Sequence, residues 1–133
     1  MKKIRLYSYI ESPTHPLLAP VYSQLEIEHQ PIKSLRKLMQ QLKKATPDIV
    51  LAEFFYGYSN NYAGANISNL DVVLRNMQQK TPQVKLVIIA SKQEAQYVEK
   101  LVPLFPISAL ITHPVTPKSL ANALSYTLEN LQD

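Results

Sequence analysis

The chain has 133 residues and a mass of 15.1 kDa, with 46% apolar residues, 18% charged residues and no cysteine. This predicts one domain over residues 1–133 with its own core, and it excludes disulfides, thiolate zinc sites and cysteine nucleophiles. Net charge is +4, and no apolar run reaches the roughly 18 residues that would span a bilayer, so a cytoplasmic protein without membrane association is expected.

The first element is extended: Ile4 to Ile10 is rich in the β-branched and aromatic types that suit strands. A turn cluster, Ser12-Pro13-Thr14-His15-Pro16, leads to a short apolar helix from Leu17 to about Gln24, with Pro20 tolerable only in its first turn. Leu25 to His29 alternates apolar and charged residues like a half-exposed edge strand, and Pro31 is expected to end it. The next helix, Ile32 to Ala45, places Lys33, Arg36, Lys37, Lys43 and Lys44 opposite Leu35, Leu38, Met39, Leu42 and Ala45. Its basic side reads as a solvated face, and nucleic acid is an unlikely partner because no Arg-rich loop or helix-turn-helix pattern accompanies it.

Thr46-Pro47 stops that helix. Asp48 to Phe55 is then a near-continuous apolar run of the kind found in parallel strands covered on both faces. A long loop, Tyr56 to Asn66, precedes a helix with Ile67, Leu70, Val73, Leu74 and Met77 on one face. Val84 to Ala90 is a second buried strand. Lys92 to Phe105 carries Ala95, Val98, Leu101, Val102 and Phe105 at helical spacing, Ser108 to Thr112 is a short strand, and Pro117 to Leu131 is the last helix, with Thr116 as N-cap. Five strand–helix pairs in strict alternation predict an α/β fold: a flavodoxin-like, doubly wound, five-stranded parallel sheet in the order 2-1-3-4-5, with helices on both faces. Functional groups then gather at the carboxyl ends of the strands, near Ile10–Ser12, Glu53–Tyr56, Ala90–Lys92 and His113-Pro114.

Three segments there form a pattern. Thr46 to Glu53 is a proline-terminated helix followed by a strand ending in a carboxylate. Val84 to Ser91 is a strand ending near a hydroxyl, and Ala109-Leu110-Ile111-Thr112-His113-Pro114-Val115 is a strand ending in a basic residue before proline. In order and spacing the chain resembles the response-regulator receiver family, the group that includes chemotaxis regulators. The resemblance implies a phosphoacceptor at the position of Glu53, Mg²⁺-holding acids near Glu11, a hydroxyl at Ala90 or Ser91, a lysine at the position of His113, an aromatic switch residue at Leu110 and a cis bond at Pro114.

The chemical set is altered. Glu53 replaces the family's Asp nucleophile and reaches one methylene further. Ile10-Glu11-Ser12 offers one carboxylate where the family has two. His113 replaces the lysine, and Leu110 replaces the aromatic residue. The expectation is therefore a degenerate pseudo-receiver with a vestigial pocket of Glu11, Ala90, Ser91, His113 and Pro114 around Glu53. Glu53 either pairs with His113, the favoured reading, or acts as a fixed mimic of the phosphorylated state. Neither catalysis nor a bound metal or cofactor is expected: His15, His29 and His113 lack metal-ligand spacing, and Gly57 and Gly64 are the only glycines, too few for a phosphate-cradling loop.

The loop after Glu53 holds both glycines and three of the eight tyrosines. Tyr56, Tyr58 and Tyr62 are candidates for an interaction loop, with a fold-back over the pocket as the alternative. The expected function is regulation by contact with another signalling protein, through this loop or the last two helices (Lys92, Gln96, Glu99, Lys118, Asn122 and Tyr126), with a homodimer as one form of that contact. Because no output domain follows Asp133, the partner is expected to be another chain. The alternatives are a phosphorylatable regulator using Glu53 with Mg²⁺, and a small-ligand-binding α/β domain.

Overall fold

The computed structural model describes residues 3–12, 18–56 and 68–131. Five strands, β1 (Ile4–Tyr9), β2 (Ile27–Ile32), β3 (Ile49–Glu53), β4 (Lys85–Ala90) and β5 (Ala109–Thr112), form one sheet in the order β2-β1-β3-β4-β5. Every pairing is parallel. The helices are α1 (Ala19–Gln24), α2 (Leu35–Lys44), α3 (Asp71–Lys80) and α4 (Pro117–Asn130), with a 3-10 segment at Ala95–Leu101 between β4 and β5. No helix among the described residues is long and apolar enough to cross a membrane.

The period-2 alternation of the strands sorts their side chains into two layers. Tyr7, Tyr9, Val50, Ala52, Leu86 and Ile88 pack with Leu38 and Leu42 of α2, Val73, Leu74 and Met77 of α3, and Val98 and Leu101 of the 3-10 segment. Leu6, Ile27, Ile49, Leu51, Val87, Ile89 and Ile111 face the opposite way, toward Val21 and Tyr22 of α1 and Leu120 and Leu124 of α4. The core strands β3 and β4 are buried on both faces, as their unbroken apolar runs require. Ser34 caps α2 by accepting from the Lys37 N–H at 3.1 Å, and Thr116 caps α4 in a reciprocal capping box with Ser119.

Four elements differ from the sequence reading, the first being α3, which begins at Asp71 with Leu70 as its N-cap, while Ile67, expected on its inner face, lies outside the described residues. Strand β2 starts and ends later than Leu25–His29 and runs through Pro31. It is the edge strand, so the missing N–H of Pro31 costs no ladder bond, while Glu26 takes up the preceding turn with φ 59°. Helix α2 begins at Leu35 rather than Ile32, because β2 claims Ile32. The predicted helix over Lys92–Phe105 is only the 3-10 segment. Ala95, Val98 and Leu101 recur every third residue, the 3-10 period, Val102 is exposed, and Pro103 cannot continue a helix.

Candidate functional site

The carboxyl ends of β1, β3 and β5 meet where the chain order reverses between β1 and β3. Glu53, the last residue of β3, is 1% exposed. Its Oε1 accepts the backbone N–H groups of Glu11 and Ser12, each at 2.8 Å. Its Oε2 accepts the Ser12 hydroxyl and lies 2.9 Å from Nε2 of His113. An ionised carboxylate only accepts, so His113 holds its proton on Nε2 in this contact. Burial pushes the Glu53 carboxyl up, but the bonds from the Ser12 hydroxyl and N–H, from His113 and from the Glu11 N–H outweigh it and hold the pKa below the ordinary glutamate value.

The predicted pairing of Glu53 with His113 is thus present, with the His113 side chain 29% exposed. The His113–Pro114 peptide bond is cis, as the resemblance implied, and the His113 N–H donates to the Ala90 carbonyl at 2.9 Å. Glu11 contributes its backbone to the pocket rather than its carboxylate. That side chain is exposed and accepts the hydroxyl of Tyr9. Ala90 is fully buried and brings no hydroxyl. Ser91 turns its Oγ to the Glu94 N–H at 3.1 Å, starting the turn into the 3-10 segment. Among the described residues, no group of three acidic or histidine side chains is placed to hold a metal ion.

Two contributors escaped the sequence reading. Ser12 supplies two of the four donors to Glu53, although it reads only as a turn residue that fails to be acidic. Asn69 clamps the end of β3 to the approach to α3: its amide donates to the Glu53 carbonyl at 2.9 Å, and its Oδ1 accepts the Phe55 N–H at 2.7 Å. Ser68 is tied next to it by Asp71, whose Oδ1 accepts both the Ser68 N–H and hydroxyl at 2.8 Å. The Ser68-Asn69-x-Asp71 run is a local turn signal that could have revealed this clamp.

Of the tyrosine candidates, Tyr58 and Tyr62 lie outside the described residues. Tyr56 is 38% exposed and packs on the protein's own surface. Its ring stacks on Tyr97 at 3.8 Å between centroids, with the Lys100 ammonium 5.5 Å from the Tyr56 centroid. Its N–H donates to Glu94 at 3.2 Å. Leu110, on β5, is 43% exposed, and Val102 and Tyr126 are also exposed on neighbouring elements. Lys92, Gln96, Glu99, Lys118 and Asn122 are exposed as well.

No family model and no curated protein matches this sequence. Solved structures do. The signal receiver domain of an HD domain-containing protein from Pseudomonas fluorescens is 16% identical, with 98% of each chain covered and a TM-score of 0.73. A response regulator receiver domain protein from Clostridium thermocellum is 14% identical, with 97% of each chain covered and a TM-score of 0.70. A CheY-like receiver domain protein from Methanospirillum hungatei is 10% identical, with 98% of each chain covered and a TM-score of 0.73. By strand order, helix placement and near-complete overlap with these structures, the chain has the fold of the response-regulator receiver domains.

Proposed function

We propose that this protein is a regulatory signalling module, a pseudo-receiver that works by contact with another protein and without phosphorylation or enzymatic turnover at Glu53. The observation that carries this reading is the saturation of the Glu53 carboxylate by four donors from its own chain. A phosphoacceptor needs an open approach to its carboxylate oxygen and a cation to neutralise the developing charge. A Mg²⁺ ion needs oxygen acceptors, yet N–H and O–H groups already point at this oxygen pair, and Glu11 turns its carboxylate to Tyr9. The partner is placed at β5 and α4, where Leu110 and Tyr126 are each exposed to it.

The test is an amide NMR spectrum of the full chain with and without Mg²⁺ and beryllofluoride. The expected result is an unchanged spectrum at Glu11, Ser12, Glu53 and His113. Saturable shifts centred on those residues would establish a working phosphoryl pocket and overturn the reading. Attachment of a fixed partner should then map to Leu110 and Tyr126, with Leu110→Asp abolishing capture while leaving the fold intact.

A further inference from the structure

The net charge of the protein is not spread over its surface. Between His29 and Pro47 stand five basic residues, Lys33, Arg36, Lys37, Lys43 and Lys44, and no acidic one, whereas the rest of the chain carries nine basic and ten acidic residues. The whole positive excess therefore belongs to β2 and α2, at the open edge of the sheet. There the structure forms a groove of about 440 Å³ between strand and helix, lined by Lys33, Lys37 and Lys44 together with Gln30, Gln40 and Gln41. Lys33, Lys37 and Lys44 are exposed, and among the described residues none of the three enters an ion pair.

We propose that this groove docks an extended, acid-rich segment of a partner protein. Lys37 and Lys44 stand seven residues apart on α2, about 10.5 Å along the axis, a span that three or four residues of extended chain cover at about 3.3 Å each. Carboxylates on alternate residues of such a segment project to one side and meet the lysines. The glutamine amides, each a donor and an acceptor, suit the N–H and C=O groups of a peptide backbone. A phosphodiester backbone offers acceptors alone, and among the described residues lining the groove there is neither an aromatic ring to stack a base nor an arginine to fork a phosphate. Pro31 interrupts the donors of the β2 edge, so side chains rather than an added strand read the segment.

The test uses the full chain, isotopically labelled, titrated with an acetyl-(Glu-Ser)5-amide peptide. Amide shifts confined to Gln30–Lys44 are expected, with affinity that falls as salt is raised. K37E/K44E should weaken binding about tenfold, and K3E/K80E, an equal charge change on exposed positions elsewhere, should leave it unchanged. The neutral pair K37Q/K44Q gives the same comparison if charge reversal disturbs folding. No binding at millimolar peptide, shifts centred outside the groove, or equal weakening by both double variants would overturn the proposal. So would a DNA oligonucleotide that binds the groove more tightly than the peptide.

Discussion

Replacing Glu53 by Gln keeps the shape of the side chain and removes its charge, so it isolates what the four converging donors contribute. The amide oxygen can still accept the N–H groups of Glu11 and Ser12, now 2.8 Å from Oε1. The NH₂ then faces the Ser12 hydroxyl and His113 Nε2, both of which must stop donating. Hydrogen bonds to a charged group contribute roughly 1.5–3 kcal/mol and neutral ones roughly 0.5–1.5 kcal/mol, a difference of about 1 kcal/mol per bond. With four such bonds at a side chain 1% exposed the upper bound is about 4 kcal/mol. Because His113 is 29% exposed and water can replace part of its bond, the expected loss is about 2–3 kcal/mol, or roughly 8–12 °C in Tm for a chain of this size. Urea unfolding monitored by circular dichroism measures the first quantity. Long-range ¹H–¹⁵N correlations of the imidazole measure a second: His113 should move its proton from Nε2 to Nδ1 in E53Q. A variant as stable as the parent, with His113 unchanged, would refute the account of Glu53 as the bonded centre of the site.

Three further outcomes are expected. Burial lowers the pKa of His29 from its ordinary value of 6.5, and bonding lowers that of Glu53 from 4.5. In both cases the unfolded chain takes up its proton first, so stability is complete above these values and is lost as pH falls, once below 6.5 and again below 4.5. Denaturation midpoints from pH 8 to 3 should show both steps, with H29Q removing the first and E53Q the second, and a flat parent profile from pH 8 to 5 would contradict the His29 assignment. Tyr97→Ala removes the ring stacked at 3.8 Å on Tyr56 and one face beneath Lys100, which should cost about 1–2 kcal/mol. In a double-mutant cycle with Tyr56→Ala the losses should be non-additive; strict additivity would mean that the stack contributes nothing. E53D, which places an aspartate at the end of β3, should not confer Mg²⁺ binding, since the Glu11 carboxylate remains turned to Tyr9, and Mg²⁺-dependent amide shifts in that variant would show that side-chain length alone keeps the ion out.

The fold was legible because its signals are redundant. Apolar runs at Asp48–Phe55 and Val84–Ala90 marked the central strands, and strict alternation with helices fixed the order that the sheet adopts. The pairing of Glu53 with His113 was legible too, since both stand at strand ends that a parallel sheet brings to one side. What escaped is physically different in kind. Backbone N–H donation by Glu11 and Ser12 has no side-chain signature, so the closure of the pocket could not be read from residue types. Asn69 acts on a carbonyl sixteen positions away, so the turn signal of Ser68-Asn69-x-Asp71 marks a local turn without naming the strand end it holds. At Lys92–Phe105 the apolar spacing fits a period of 3.0 as well as 3.6 over so few turns, and Pro103 decides between them.

The added methylene of Glu53 matters because of what surrounds it. A carboxylate that reaches the N–H groups of residues 11 and 12 joins the ends of β1 and β3 directly, and through His113 it reaches the end of β5. A site built around acceptors would need a cation to hold those ends together, whereas donors alone need an anion, and Glu53 supplies one covalently. An anion attached to the chain cannot dissociate and has no concentration dependence, so on the proposed reading it holds the site without reporting a phosphoryl group. Protonation of Glu53, whose pKa is held below the ordinary glutamate value, and displacement of the strand ends by something bound to them both change the free energy of this site. On the proposed reading the signal enters through a partner at β5 and α4 or at the basic groove of α2, and Glu53 serves to keep the strand ends in one arrangement while it does.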